Sequence, residues 1–225
     1  MRAALESLLR ARKLDVTLTV ADAAAVPPAP ERVASTGCAT LDAALGGGLR
    51  RGHLSEITGA VSSGRSTLAA RLLAAATTRG EAAALVDACD TFDPACADAH
   101  GIALPRVLWV RPSTALGAGD RGTMLALKAF SLILQAGGFG LVVLDLADVP
   151  SAALRRFPFT TWMRIARIVE GSDTVALLVG AGRTARSAGG VTIALEPSPP
   201  RWHGASPRAR LFGGVEPAPR VVGAR

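Results

Sequence analysis

The sequence contains very little lysine, few cysteines and no long uninterrupted run of apolar residues. Lys13 and Lys128 are its two lysines, so arginine supplies nearly all the positive charge of a chain with formal net charge +7. The three cysteines form no C-x-x-C pair, which argues against a disulfide framework or a zinc site and favours a reducing cytoplasm. The most apolar stretches are interrupted by Lys128, Asp145 or glycine, and residues 1–14 lack the apolar run of a signal peptide. No membrane span is therefore expected.

The length of the chain and its charge limit the class of protein. Its 225 residues fit one α/β domain with small additions. A pI near 10.8 suits a polyanionic partner such as nucleic acid, although abundant arginine alone produces the same pI.

One stretch, residues 53–68, has the layout of a phosphate-binding loop. Residues 54–57 alternate like a half-buried strand, and residues 67–78 form an alanine- and leucine-rich helical pattern. Gly59 and Gly64 stand five residues apart, as in G-x-x-x-x-G-K-[ST], where backbone N–H groups surround a phosphate at a helix N-terminus. Arg65 stands where that pattern has lysine. Its planar fork can bind phosphate oxygens but cannot replace a compact ammonium.

Strands and helices alternate along most of the chain. Strands are predicted over 82–87, 107–110, 141–145, 174–179 and 191–195, and helices over 38–45, 122–136 and 160–170. This order predicts an α/β fold with a mostly parallel sheet and helices on both faces. Three regions are expected: an N-terminal helix, strand and linker over 1–30, a core over 31–196, and a proline- and arginine-rich tail over 197–225.

Asp145 is expected to lie in the same crevice as the phosphate loop. It ends a buried strand, and ligands of such sheets bind outside the carboxyl ends of the strands. Asp145 and Ser66 could hold Mg²⁺, although Asp145 could equally cap the next turn. The candidate nucleotide-binding residues are Gly59, Ser62, Ser63, Gly64, Arg65, Ser66, Thr67 and Asp145.

A series of short motifs in fixed order carries a family resemblance. They are Ser35-Thr36-Gly37, Leu41-Asp42, Leu45-Gly46, Gly52, Glu56-Ile57, Ser62-Ser63-Gly64, Asp87-Ala88, Asp93-Pro94 and Val142-Val143-Leu144-Asp145. With them the chain resembles the core of the bacterial RecA recombinase family over residues 1–196. Residues 158–162 (PFTTW) and 187–190 (SAGG) are more similar to shortened RecA-like accessory proteins of the ImuA type, which are encoded with DNA-damage-induced translesion polymerases.

The resemblance implies a RecA-like P-loop NTPase core that binds ATP and Mg²⁺ in the cytoplasm. It implies a role in the SOS response to DNA damage, with RecA-type recombinase or translesion polymerase subunits as partners and single-stranded DNA as a further ligand. Residues 2–14 occupy the place of the family's polymerisation helix, which implies self-association or a contact with a RecA partner.

Departures from the family pattern fall on the site of hydrolysis. Arg65 replaces the phosphate-loop lysine, and Cys89 stands where the family has the glutamate that activates water. Leu146 replaces a polar residue, Ala181 replaces the glutamine that senses the γ-phosphate, and Cys96 replaces the adenine-stacking tyrosine. Together they imply that ATP hydrolysis is weak or absent.

Two rival functions stay open. One is a working DNA-dependent ATPase whose site is rebuilt around Arg65 with Asp87 or Asp90, the weak catalytic candidates. The other is a KaiC- or RadA-like regulatory ATPase. The acidic segment that contains both aspartates is otherwise expected to be a solvated loop.

Candidate DNA contacts are arginines in a glycine-rich loop and in the tail: Arg183, Arg186, Arg208 and Arg210. The first two occupy the place of the family's second DNA-binding loop, and all four could contact phosphates without sequence preference. The alternative is a solvated loop and a soluble terminus. Trp202 could stack on a base or dock onto a partner protein.

Overall fold

The computed structural model describes residues 32–111, 120–185, 190–215 and 217–223. Its strands are β1 (Val33–Ala34), β2 (Leu49–Arg50), β3 (His53–Gly59), β4 (Ala83–Asp87), β5 (Val107–Val110), β6 (Leu141–Asp145), β7 (Val175–Gly180), β8 (Thr192–Glu196), β9 (Pro200–His203), β10 (Leu211–Val215) and β11 (Ala218–Val222). Its helices are α1 (Ala39–Leu45), α2 (Arg65–Thr78), α3 (Pro94–Ala99), α4 (Asp120–Ala136), α5 (Ser151–Leu154) and α6 (Phe159–Val169).

A seven-stranded sheet forms the centre of the described structure, in the order β11-β8-β3-β7-β6-β4-β5. Its strands pair in parallel, except that β11 runs antiparallel to β8. The predicted α/β fold with a mostly parallel sheet is confirmed.

Helices cover both faces of this sheet. Leu141 and Val143 of β6 pack with α1, α2 and α3, whereas Val142 and Leu144 pack with α4 and α6. Because successive side chains of a strand point to opposite faces, a strand covered on both sides has a continuous apolar sequence. This explains why β6 has the bounds that the sequence predicts.

Helix α1 begins one residue later than predicted, and helix α3 was not predicted. Helix α1 begins at Ala39 because the backbone of Cys38 is extended, and Gly46 ends it in the left-handed conformation with φ of 70°. Helix α3 lies in the acidic segment that we expected to be a solvated loop. Asp93 starts that helix, since its carboxylate accepts a hydrogen bond of 2.9 Å from the amide of Ala95.

Strand β3 corrects one expectation about exposure. The alternation of residues 54–57 predicts a half-buried strand, yet β3 lies between β7 and β8 and its residues 54–58 are all buried. Ser55 is 2 % exposed and Glu56 is 4 % exposed. The polar side chains are tolerated because they form hydrogen bonds with a later loop.

Of the two predicted terminal regions, the structure describes only the C-terminal one. The arm predicted over 1–30 lies outside the described residues. The predicted tail contributes β11 to the central sheet and, through β9 and β10, a separate antiparallel hairpin. No helix in the described ranges is long and apolar enough to cross a membrane.

Candidate functional site

The phosphate loop connects the end of β3 at Gly59 to the start of α2 at Arg65. Gly64 is the N-cap of α2 and has φ of 88°, a conformation that favours glycine. A Cβ on Gly59 would collide with the Ser63 hydroxyl and lie 2.9 Å from the carbonyl oxygen of Leu195. A Cβ on Gly64 would lie 2.8 Å from the ring of Pro217. Both glycines of the motif are therefore required by close packing.

The loop opens onto a cleft of about 560 Å³. Its lining residues are Val61, Ser62, Gly64, Arg65, Ser66, Thr67, His100, Asp148, Phe212 and Gly214. The hydroxyl of Ser63 is buried and has no hydrogen-bond partner within the described residues. A fourteen-residue helix begins at this point, so its partial positive charge is directed at the loop. The backbone of residues 59–67 therefore suits phosphate groups.

Arg65 lines that cleft, but both ends of its guanidinium are bonded to the protein and are not free for a phosphate. Its guanidinium donates from Nη1 to the carbonyl oxygen of Gly59 at 2.9 Å and from Nη2 to Asp148 Oδ1 at 3.1 Å. Arg65 is 5 % exposed, whereas the side chain of Asp148 is 53 % exposed. The arginine thus binds the base of its own loop and neutralises a carboxylate at the mouth of the cleft.

Asp145 lies at the carboxyl end of β6, as predicted from the sequence. It lines a second cleft of about 250 Å³ together with Ser66, Thr67 and Asp148, which also line the first. The structure thus brings Asp145 and the first turn of α2 into one crevice. The sequence predicts an Mg²⁺ site at Ser66 and Asp145. Among the described residues, no group of three or more His, Cys, Asp or Glu side chains is placed to hold a metal.

The carboxyl group of Asp145 has an altered acidity. Burial, together with the nearby charges of Asp87 and Asp148, raises the pKa of Asp145 from 3.8 to about 6. The amide of Ala147, which donates to Asp145 Oδ1 at 2.8 Å, and the charge of Arg65 oppose this shift. A bound cation would lower the same pKa, because it would favour the charged carboxylate.

Asp87 and Asp90, the weak catalytic candidates, are engaged in structural contacts. The buried carboxylate of Asp87 accepts hydrogen bonds from the amides of Thr91 at 3.0 Å and Phe92 at 2.9 Å. Asp90 has a positive φ of 57° and forms a two-pronged ion pair with Arg111, with both distances at 2.8 Å. These contacts fix the loop after β4, and neither aspartate lines the two clefts.

Two cysteines occupy positions at which the family resemblance implies functional residues. Burial raises the pKa of the Cys89 thiol, and the charges of Asp148, Asp145 and Asp87 raise it further. A thiol in this state stays protonated near neutral pH and is a poor base. Cys96 is exposed on α3, lines the second cleft and lies 3.6 Å from Nδ1 of His100.

The predicted DNA-binding arginines belong to different elements. Arg183 follows β7, is about half exposed, and its Nε lies 3.7 Å from Glu56 Oε1. Arg208 and Arg210 are exposed in the connection between β9 and β10. Arg186 lies outside the described residues.

Sequence reasoning missed three groups near the site. Glu56 accepts hydrogen bonds from the amides of Thr184 and Ala185 at 2.8 and 3.1 Å. It thus holds the start of the loop after β7 that carries Arg183. The sequence around Glu56 gave no local signal of its burial, because its partners lie in a distant loop. Asp148 stands three residues after Asp145, and this short spacing was a signal that it lies near the same site. The packing of Pro217 on the phosphate loop had no signal in the sequence.

The comparisons with known proteins concern the region that contains this site. Residues 13–155 match the family model of the RecA N-terminal domain. The chain is 38% identical over 123 residues to protein RecA of Clostridium acetobutylicum, an alignment that covers 53% of this chain and 33% of that protein. The identity is 41% over 123 residues for protein RecA of Chlorobium limicola, with 53% and 33% covered, and 40% over 126 residues for that of Chlorobaculum tepidum, with 55% and 34% covered. The chain thus spans about a third of the length of these relatives.

Proposed function

The chain belongs to the RecA N-terminal domain family, and from this membership we propose that it is a RecA-like accessory protein of bacterial DNA repair. In this proposal it acts by binding partners and nucleotide, with little or no hydrolysis of ATP. The observation that carries the proposal is the conformation of Arg65, which is bonded to Gly59 and Asp148 beside an otherwise well-formed phosphate loop.

The phosphate loop supports nucleotide binding. Residues 59–67 would hold the phosphates through their amides and through the hydroxyls of Ser66 and Thr67, and the unpartnered Ser63 hydroxyl lies within the same loop. Ser66 and Asp145 would hold Mg²⁺, which would supply charge neutralisation for the phosphates.

The surroundings of the loop give little support for hydrolysis. Water activation needs a base, and the candidate at that position is Cys89, whose thiol has a raised pKa. Asp87 and Asp90 are held by their own loop and by Arg111. Ala181 has no polar side chain with which to sense a γ-phosphate. Nucleotide binding without turnover is therefore the expected behaviour.

The cellular role we propose is in damage-induced mutagenesis by translesion synthesis, as for accessory proteins of the ImuA type. The partners would be a RecA-type recombinase, translesion polymerase subunits, or both, and residues 2–14 would contribute to partner binding or self-association. Single-stranded DNA would be a weak further ligand through Arg183, Arg186, Arg208 and Arg210. The basic composition of the chain supports this last contact.

One observation favours the rival function of a DNA-dependent ATPase. Asp148 is a half-exposed carboxylate that lines both clefts, and it lies beside the loop on which a nucleotide would sit. If Arg65 turned toward a bound phosphate, Asp148 would be released and could act as a base for water.

The two functions are distinguished by measuring phosphate release from ATP and Mg²⁺ with and without single-stranded DNA, beside an active RecA recombinase as positive control. The accessory function predicts binding of an ATP analogue and no DNA-stimulated release. Brisk release that Asp148→Asn abolishes would establish the ATPase instead. The proposed role is tested in parallel by damage-induced mutation frequency, which deletion of an accessory protein of translesion synthesis should lower.

A further inference from the structure

The hairpin of β9 and β10 carries an exposed pair of aromatic rings. Trp202 lies opposite Phe212 in the register of the two strands, and their ring centroids are 5.7 Å apart at an angle of 70°. Trp202 is 52% exposed and Phe212 is 61% exposed. Aromatic residues make up 4% of the chain, so two exposed rings in contact are a notable use of a scarce residue type.

This hairpin borders the phosphate loop. Phe212 and Gly214 line the 560 Å³ cleft together with Ser62, Gly64 and Thr67. Pro217, which follows β10, packs against Gly64 closely enough that a Cβ there would meet its ring. The hairpin and the loop therefore form two walls of one cleft.

We propose that Phe212, supported edge-on by Trp202, stacks against the base of a nucleoside triphosphate whose phosphates lie on residues 59–67. This inference rests on the nucleotide binding in the proposed function and assigns base stacking to Phe212, because Cys96, at the family's stacking position, has no ring. An exposed ring beside a phosphate site gives the planar base a surface to cover, and base stacking on an aromatic side chain is favourable for every base.

Charge in the cleft is consistent with this ligand. Asp148 is the acidic side chain among the lining residues, and Arg65 already neutralises it through the 3.1 Å contact. The positive end of α2 remains directed at the cleft. A polyanionic phosphate chain can thus occupy the loop end while an uncharged base lies against the hairpin.

The test compares ATP with inorganic tripolyphosphate, both with Mg²⁺, by isothermal titration calorimetry. Wild-type protein should bind ATP more tightly than tripolyphosphate, because only ATP has a base to stack. Phe212→Ala should weaken ATP binding by about 5- to 100-fold and leave tripolyphosphate binding unchanged. Phe212→Tyr keeps a ring and should restore ATP affinity.

Leu211→Ala is the matched control for folding and for the hairpin itself. Leu211 is 73% exposed, neighbours Phe212 in β10 and projects to the opposite face of the strand. It should leave both affinities as in the wild type. All three variants change exposed side chains, so their circular dichroism spectra should match the wild type.

The outcomes separate this inference from the proposed function. If Phe212→Ala leaves ATP affinity unchanged, or weakens both ligands equally, the stacking proposal is wrong while nucleotide binding stands. If the same variant weakens only binding of an oligothymidylate, the rings serve a nucleic-acid strand and the proposal is again overturned. If the wild type binds neither ATP nor tripolyphosphate, nucleotide binding fails and the stacking proposal fails with it.

Discussion

Replacing Glu56 should loosen the loop that carries Arg183. The carboxylate of Glu56 is buried and accepts three hydrogen bonds: from the amides of Thr184 at 2.8 Å and Ala185 at 3.1 Å, and from Thr192 Oγ1 at 2.8 Å. Glu56 also lies three residues before Gly59 in the strand that enters the phosphate loop. The side chain of Glu56 therefore connects β3, which leads into the phosphate loop, to both ends of the segment between β7 and β8.

The magnitude follows from the donors that Glu56→Ala would leave without an acceptor. Each buried unsatisfied donor costs about 1–3 kcal/mol. The amide of Ala185 and the hydroxyl of Thr192 are buried, whereas Thr184 is partly accessible to water. Counting the two buried donors gives a loss of about 4 kcal/mol, which is large against a typical total of about 5–15 kcal/mol. The half-exposed Arg183 contact at 3.7 Å adds little.

Glu56→Gln separates charge from hydrogen bonding. Its amide oxygen can still accept from Thr184 and Ala185, and its NH₂ group can donate to the Thr192 hydroxyl, which can act as an acceptor. We expect a loss of about 1 kcal/mol, because charged acceptors form stronger hydrogen bonds than neutral ones. Glu196→Gln, in the neighbouring strand β8, removes an exposed ion pair with Arg220 and should change stability by less than about 0.5 kcal/mol.

The assay is urea unfolding followed by circular dichroism, with the rate of tryptic cleavage after Arg183 as a second readout. Glu56→Ala should lower the unfolding midpoint with an unchanged slope, and it should speed cleavage of the native protein. A Glu56→Ala protein that unfolds within about 1 kcal/mol of the wild type would refute the reasoning, since solvent would then be satisfying these donors.

Three further changes test other parts of the molecule. Because the pKa of folded Asp145 is about 6 rather than 3.8, the folded state retains a proton that the unfolded state releases between about pH 4 and 6, so stability falls as pH rises through that window. Asp145→Asn should remove this fall and stabilise the protein at pH 7.5 by about 3 kcal/mol in urea unfolding; equal stability of both proteins at pH 7.5 would contradict it. Arg208→Ala with Arg210→Ala should make the slope of log K against log salt for single-stranded DNA shallower by about 1.4, for all sequences alike, and an unchanged slope would mean that these residues do not bind phosphates. Leu8→Glu should change the sedimentation of the protein alone or with a RecA partner, and identical species would remove the proposed role of residues 2–14.

The inner strands β4, β6 and β7 of the central sheet were predictable because they are covered on both faces. Burial on both sides produces continuous apolar runs, and glycine or charge then marks their ends, as in residues 141–145. The loop at residues 59–66 was likewise visible, because glycines at this spacing between a strand and a helix are typical of phosphate-binding loops. Local signals of this kind survive in a single sequence.

Contacts between distant residues account for what the sequence did not predict. Glu56 looked like the exposed side of a strand because its partners lie 128 and 129 residues away. Of the β9–β10 hairpin, the sequence predicts only a short β-like piece near residues 210–212; Pro200–His203 is exposed throughout and so has no alternating apolar pattern. Pro217, which follows the hairpin, packs close to Gly64, and no spacing rule anticipates this proximity.

The scarcity of lysine raises the question of whether Arg65 is simply one more arginine in an arginine-rich chain. The geometry argues otherwise, because the two ends of its guanidinium reach separate acceptors, the Gly59 oxygen at 2.9 Å and Asp148 Oδ1 at 3.1 Å. A lysine ammonium is a single point of charge and lacks the fork that joins two such groups. Lysine at this position could therefore serve the phosphates only by releasing Asp148, which would leave an unpaired carboxylate beside the anion. Arg65 and Asp148 are thus better understood as a pair that closes the base of the loop than as the remnant of a catalytic lysine.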